Sequence, residues 1–291
     1  MATGVAFATL TGNQDIDALL FGSKWNVNNL TFAFPTSAAY FGSAAVYDNA
    51  ETNDNVVYAG RFLALNTAMQ TAFLFTKDQY QSVSGLRFTK VTPTTNNADI
   101  ALARTSDDSL PTANGRFPTT THEGDIWFND HDYNAPVRGN FAWATFLHET
   151  GHTMGLKHGH VGDHGPAMTA MTTAHDSPEF SVMTYRSFAG GPASAYTIEQ
   201  FGFPQTLMMY DIAAIQQMYG ANFTSNAGNS VYTFSQSTGQ EFINGVSQGT
   251  PGANRIFQTI WDGGGVDTYN LSNYTTALNI SLAAGGWSLF S

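Results

Sequence analysis

The chain has 291 residues, beyond the roughly 250 at which one hydrophobic core stops growing, so one large domain with part of a second is expected. Hydrophobic residues at 42% against 11% charged exclude a disordered chain, whose signature is low hydrophobicity with dense charge. A net charge of −11 argues against nucleic acid or anionic membrane as partner, while surplus carboxylates suit hard cations such as calcium.

The opening "MATGVAFATLTGNQD" has neither a basic segment nor a long apolar run, so no secretory signal peptide is read there. No stretch approaches the 18 apolar residues of a membrane span, and the lack of cysteine is compatible with an oxidising compartment. "NLTFAF" (29–34) alternates apolar and polar residues and reads as a strand ended by Pro35. Residues 66–80 read as a helix capped by Asn66, with Met69, Ala72, Phe73 and Phe75 on one face. "LRFTKV" (86–91), "ADIALAR" (98–104) and "GDIWFND" (124–130) read as short strands. Asn140 caps a helix with Phe141, Ala144, Phe146 and Leu147 at apolar spacing. From 159 to 202, Gly, Pro, Ala and Ser predict mainly loop, and a last helix spans about 206–219. Beyond Gly220 short β-like pieces alternate with Gly and Asn, which places a boundary near 220–225.

The segment "FLHETGHTMGLKHG" (146–159) concentrates the chemistry. Residues four apart share a helix face, so His148 and His152 can reach one ion together. Glu149, one step round, can lean over a water at that ion as general base, the H-E-x-x-H arrangement for zinc. Gly155 can take positive φ, end the helix and turn the chain so that His158 approaches the same ion. His160 competes for that place, but it stands further from the turning glycine. Three imidazoles leave a fourth tetrahedral position for water, the mark of a catalytic zinc. Five fixed residues at these offsets would arise by chance on the order of 10⁻⁵ times per chain of this composition.

H-E-x-x-H-x-x-G-x-x-H followed by the methionine turn "SVMTY" (181–185) resembles the metzincin metalloproteases. With "GDIWFN", "YDIAAIQQMYGAN" and "WDGGGVDTYNLS" in the same order, the chain resembles the serralysins, exported calcium-binding metzincins of Gram-negative bacteria. The resemblance implies an α+β fold. A metzincin catalytic domain over 1–222, with a twisted mixed sheet, long helices and the zinc helix at the cleft floor, would precede a β-rich C-terminal domain over 223–291. It further implies that Met183 forms an apolar floor beneath the zinc imidazoles, and that Tyr185 is an additional zinc ligand that moves away to stabilise the oxyanion. "GDIWFN" would be the cleft's edge strand for an extended substrate, with Trp127, Phe128 and Asn129; Trp127 and Phe128 alternate faces, so at most one lines the cleft. His122 and His131 flank it as surface residues. Asn226, Gly228, Ser230, Asp262, Gly264 and Asp267 would hold structural calcium.

The implied protein is a secreted or cell-surface bacterial zinc endopeptidase acting on proteins or peptides, without nucleic acid or membrane span, with a monomer favoured over an oligomer. The alternative is a catalytically silent metzincin-fold binding module of a larger exported protein. Two features depart from the family pattern. Gly159 stands where proline usually follows the third histidine, and tandem GGxGxDxUx repeats are absent. The sequence stops at "GGWSLFS" where those repeats would begin, so a longer protein or another C-terminal module is expected, and no inhibitory propeptide is evident.

Overall fold

A computed structural model describes residues 1–42, 58–119, 124–194 and 196–290; His122 lies outside these. The fold is mixed α/β with few helices. Strand β1 (Gly4–Ala6) pairs antiparallel with β2 (Ser23–Trp25), and the short helix α1 (Gln14–Asp17) lies between them. Strand β3 (Asn29–Ala33) follows, then β4 (Phe62–Leu63).

Helix α2 (Thr67–Val83) begins where Asn66 accepts a hydrogen bond from the Met69 amide at 3.0 Å, the cap expected from sequence. It buries Met69, Ala72, Phe73, Thr76 and Tyr80, whereas Phe75 is only half-buried, its ring lying 4.7 Å from that of Trp143. It crosses over from β3 to the parallel strand β5 (Arg87–Lys90). Strands β6 (Ile100–Thr105), β7 (Ala113–Gly115) and β8 (Ile126–Asn129) complete a six-stranded sheet of order β5-β3-β6-β8-β7, with β4 paired to β6. All pairings along that path are parallel except β7 with β8.

Successive side chains of a strand point to opposite faces, and here both faces are covered. Leu30, Phe32, Ile100, Leu102, Ile126 and Phe128 face the helices and the larger core. Ala33, Ala101, Ala103 and Trp127 face a second cluster around Tyr40, Phe41 and Tyr58. Trp127 and Phe128 are both fully buried, one in each core.

Helix α3 (Phe141–Thr153) packs under the sheet, and Asn140 caps it by accepting from the Trp143 amide at 2.8 Å. Among the described residues of 159–202 there is no helix or strand. Helix α4 (Met209–Tyr219) starts later than the sequence predicts, because Met208 is extended, at φ −100 and ψ 170, and so stands outside the helix as its N-cap. Gly220, at φ 79, ends it. Beyond it the described residues contain only short strands. These are β9 (Val231–Phe234), β10 (Glu241–Ile243), β11 (Val246–Ser247) and β12 (Thr268–Tyr269) in the order β11-β10-β9-β12, and a separate pair, β13 (Leu278–Asn279) with β14 (Leu289–Phe290). No helix is long and apolar enough to cross a membrane among the described residues.

Candidate metal centre

Helix α3 carries His148, Glu149 and His152, all buried. The helix stops at Thr153 and Gly155 takes φ 97, a conformation that L side chains rarely adopt. The chain then doubles back against residues 19–21: the Phe21 amide donates to Gly155 O at 2.9 Å and the Lys157 amide to Leu19 O at 2.8 Å. This turn delivers His158 to the other two histidines. The three Nε2 atoms form a near-equilateral triangle with sides of 3.1, 3.1 and 3.0 Å. Among the described residues this is the one cluster of histidine, cysteine or carboxylate groups close enough to share an ion. The His160 ring lies 5.6 Å from that of His158, outside the triangle.

The tautomers follow from the outer partners. Nδ1 of His148 meets Val182 O at 2.8 Å and Nδ1 of His152 meets Leu156 O at 2.7 Å. A carbonyl only accepts, so both Nδ1 atoms carry the proton and both Nε2 atoms present lone pairs to the triangle. Burial lowers His148 to about 4 and His152 to about 3, and displaces His158 further in the same direction. All three are thus neutral at pH 7, the form that binds a metal. The Nε2 lone pairs of His148 and His152 converge at 3.1 Å without a proton between them, which calls for a cation, and a neutral three-imidazole set fits a divalent metal such as zinc.

Glu149 Oε2 accepts the Gly115 amide at 2.6 Å. Burial raises this carboxyl to about 8, only partly offset by that hydrogen bond, and a neighbouring cation would act in the opposite sense. Gly115 was not singled out from sequence, yet a Cβ there would stand 2.3 Å from the Glu149 carbonyl oxygen. Its lack of a side chain lets strand β7 approach the metal helix.

Met183 is fully buried beneath α3. A Cβ on Gly151, between the two helical histidines, would meet Met183 Sδ at 2.6 Å, so this glycine makes room for the floor. Asp211, from α4, holds the turn: its carboxylate accepts Ser181 Oγ at 2.6 Å and the amides of Val182 and Met208, each at 2.9 Å. The Tyr185 ring lies 4.2 Å from His158 and 5.8 Å from His148. Burial, with the Glu149 charge, pushes its phenol up to about 12, so it is a donor at neutral pH. Its neighbours Thr184 and Arg186 both bond the buried Asp176 carboxylate, at 2.6 Å each. A cavity of about 240 Å³ opens beside His148, Glu149 and Tyr185, lined further by Phe141, Val182, Tyr196, Phe203 and Pro204.

One expectation is corrected. The strand carrying Trp127, Phe128 and Asn129 is not the edge of the sheet: it is paired on both sides, by β6 and β7, and all three residues are buried. Among the described residues the edge on this side is β7, a strand of three residues too short to read from sequence. Asn129 turns inward to Pro111 O and Asp132. His131 is exposed beside Asp130, as expected. The segments 226–230 and 262–267 do come together: Ser230 donates its amide to Asp267 at 2.8 Å and its hydroxyl reaches Asn226 O and Gly228 O at 3.1 and 3.3 Å. Asp262 accepts Tyr232 Oη at 2.5 Å and the Gly264 amide at 2.9 Å.

Residues 221–290 match the family described as Peptidase M10 serralysin C terminal. Serralysin G of Dickeya chrysanthemi is 34% identical over 172 residues, 57% of this chain and 34% of that protein. Serralysin B of the same organism is 32% identical over 224 residues, 72% of this chain and 44% of that protein. Metalloprotease AprA of Pseudomonas entomophila (strain L48) is 31% identical over 169 residues, 56% of this chain and 34% of that protein. The chain therefore spans less than half the length of these relatives. It is serralysin-like, and the relatives it resembles are named as serralysins or, for AprA, as a metalloprotease.

Proposed function

We propose that the chain is the peptide-bond-hydrolysing part of a secreted, serralysin-type zinc endopeptidase. In this reading residues 1–222 form a metzincin-type catalytic domain and residues 223–291 begin a β-rich C-terminal domain. The observation that carries it is the triangle of Nε2 atoms of His148, His152 and His158 at 3.0–3.1 Å, with two tautomers fixed by carbonyls. When bound there, zinc supplies Lewis acidity and lowers the pKa of water to about 7.

The remaining chemistry belongs to side chains of this chain. Glu149, held through Oε2 by the Gly115 amide, takes the proton of the attacking water and passes it to the leaving amine nitrogen. The Tyr185 hydroxyl, protonated at neutral pH, donates to the carbonyl oxygen as charge builds there. Strand β7, which pairs with β8 alone among the described residues, lies beside Glu149, and we assign to it the main-chain pairing with an extended substrate. The apolar cavity beside Glu149 accepts a substrate side chain. The Asn226, Gly228, Ser230, Asp262, Gly264 and Asp267 cluster offers the two carboxylates and several carbonyls that suit structural calcium.

Casein hydrolysis tests this reading. Zinc-loaded protein should cleave, a chelator should stop it and added zinc should restore it. Glu149→Ala should keep zinc and lose about 10²–10⁴-fold in rate. Undiminished hydrolysis by that variant would overturn the assignment, and a zinc-binding protein with no cleavage at all would favour a silent binding module.

A further inference from the structure

The wall of the cavity formed by Phe203 and Pro204 has no helix or strand of its own. It is held from outside by chain that comes fifty residues later. Gln205, fully buried, donates its amide to Phe257 O and its Nε2 to Arg255 O, both at 2.9 Å. The Thr259 amide bonds Thr206 Oγ1 at 2.9 Å, continuing this pairing by one residue. At the outer end Arg255 grips Glu199 with two prongs, Nε to Oε1 at 2.6 Å and Nη2 to Oε2 at 3.2 Å. Gly252 lies under the Phe201 ring so closely that a Cβ would stand 2.2 Å from it. Both edges of the wall segment, 199–201 and 205–206, are thus fastened to 252–259.

We infer that residues 252–259, beyond the last helix, set the shape of this cavity and through it the preference for a large apolar side chain beside the scissile bond. Glu199, Gln205, Gly252 and Arg255 are positioning residues that act through Phe203 and Pro204. The cavity, at about 240 Å³, exceeds the roughly 150 Å³ that accommodates benzene, and its lining, mainly aromatic and aliphatic with several Ser and Thr hydroxyls, offers no charge beyond Glu149. A wall without secondary structure keeps its place through contacts from outside, because its own backbone makes no ladder. On the inner side the Phe203 amide bonds Gly139 O at 2.9 Å and Trp143 Nε1 bonds Gln205 O at 3.0 Å, and 252–259 supply the outer side. The inference rests on the peptidase reading above and adds to it a role for the C-terminal segment in substrate selection.

The test compares two peptides that differ only in phenylalanine or alanine at a residue flanking the scissile bond. Their kcat/KM ratio is measured with zinc-loaded protein, and their binding to Glu149→Ala protein by calorimetry. Wild type should favour phenylalanine. Arg255→Glu sets two carboxylates against each other and should cut that preference about 10-fold, the worth of roughly one methylene of pocket contact, with zinc content unchanged. The exchanged pair E199R/R255E should restore it, which a general loss of stability would not allow. Gly252→Val, which drives into Phe201, should lose the preference in the same way. Preference unchanged in Arg255→Glu, or lost there and not recovered by the exchanged pair, overturns the inference while leaving the peptidase reading intact. Wild type that binds or cleaves neither peptide sinks both.

Discussion

Replacing Gly155 by alanine probes the turn that brings the third histidine to the other two. At φ 97 an L side chain costs about 1–2 kcal/mol. The added Cβ would stand 2.2 Å from the Ser23 carbonyl oxygen, well inside contact distance, and forcing such room typically costs about 1–3 kcal/mol more. A stiffer unfolded chain returns about 0.4–1 kcal/mol. The turn cannot slide away, because Phe21 and Lys157 pin it on both sides to residues 19–21. Urea unfolding of metal-free protein should therefore show a loss of about 2–4 kcal/mol. Zinc affinity, measured by competition with a chelator, should fall about 10–100-fold as His158 is displaced. Gly220→Ala is the matched control: φ is 79 there and no described residue lies within 4 Å of the new Cβ, so only the conformational cost of about 1 kcal/mol should appear. Equal losses in the two variants, or unchanged zinc affinity in Gly155→Ala, would refute the reasoning.

Three further outcomes are expected. Asp176→Ala leaves the Arg186 guanidinium without its buried carboxylate, 2% exposed, and should cost about 3–5 kcal/mol; zinc content should persist while kcat falls, because Tyr185 lies between the two residues that Asp176 holds. Burial raises Asp211 to about 6 from 3.8, so its contribution to stability is complete below pH 4 and declines as pH rises to about 6. The pH dependence of urea unfolding from pH 4 to 7 in metal-free wild type and in Asp211→Asn should differ by that decline, about 3 kcal/mol, since the titrations of the three histidines and Glu149 are common to both. Zinc at 100 times its dissociation constant should raise stability by about 2.7 kcal/mol over chelated protein, and this gain should vanish in His152→Ala.

Local chemistry was legible in the sequence and long-range placement was not. Asn66 and Asn140 announced their helices because a cap is decided within three residues. The spacing of His148, His152, Gly155 and His158 specified the ion triangle, since a helix turn and one positive φ suffice to build it. The edge of the sheet was misplaced because strand order is settled by pairing between distant segments: "GDIWFN" reads as a strand wherever it lies, and Ala113–Gly115 is too short to read as one. Gly115 and Asp211 act through contacts with α3 and the methionine turn that no periodicity encodes. The cavity wall was hidden for the same reason, its supports arriving from residues 252–259.

Elemental analysis of folded, metal-free protein after incubation with zinc and gel filtration addresses the triangle of imidazoles directly. One zinc per chain is expected, and none in a variant lacking His148, His152 or His158. Uptake of no transition metal by the wild type, or full uptake by all three single variants, would contradict a centre built from these residues.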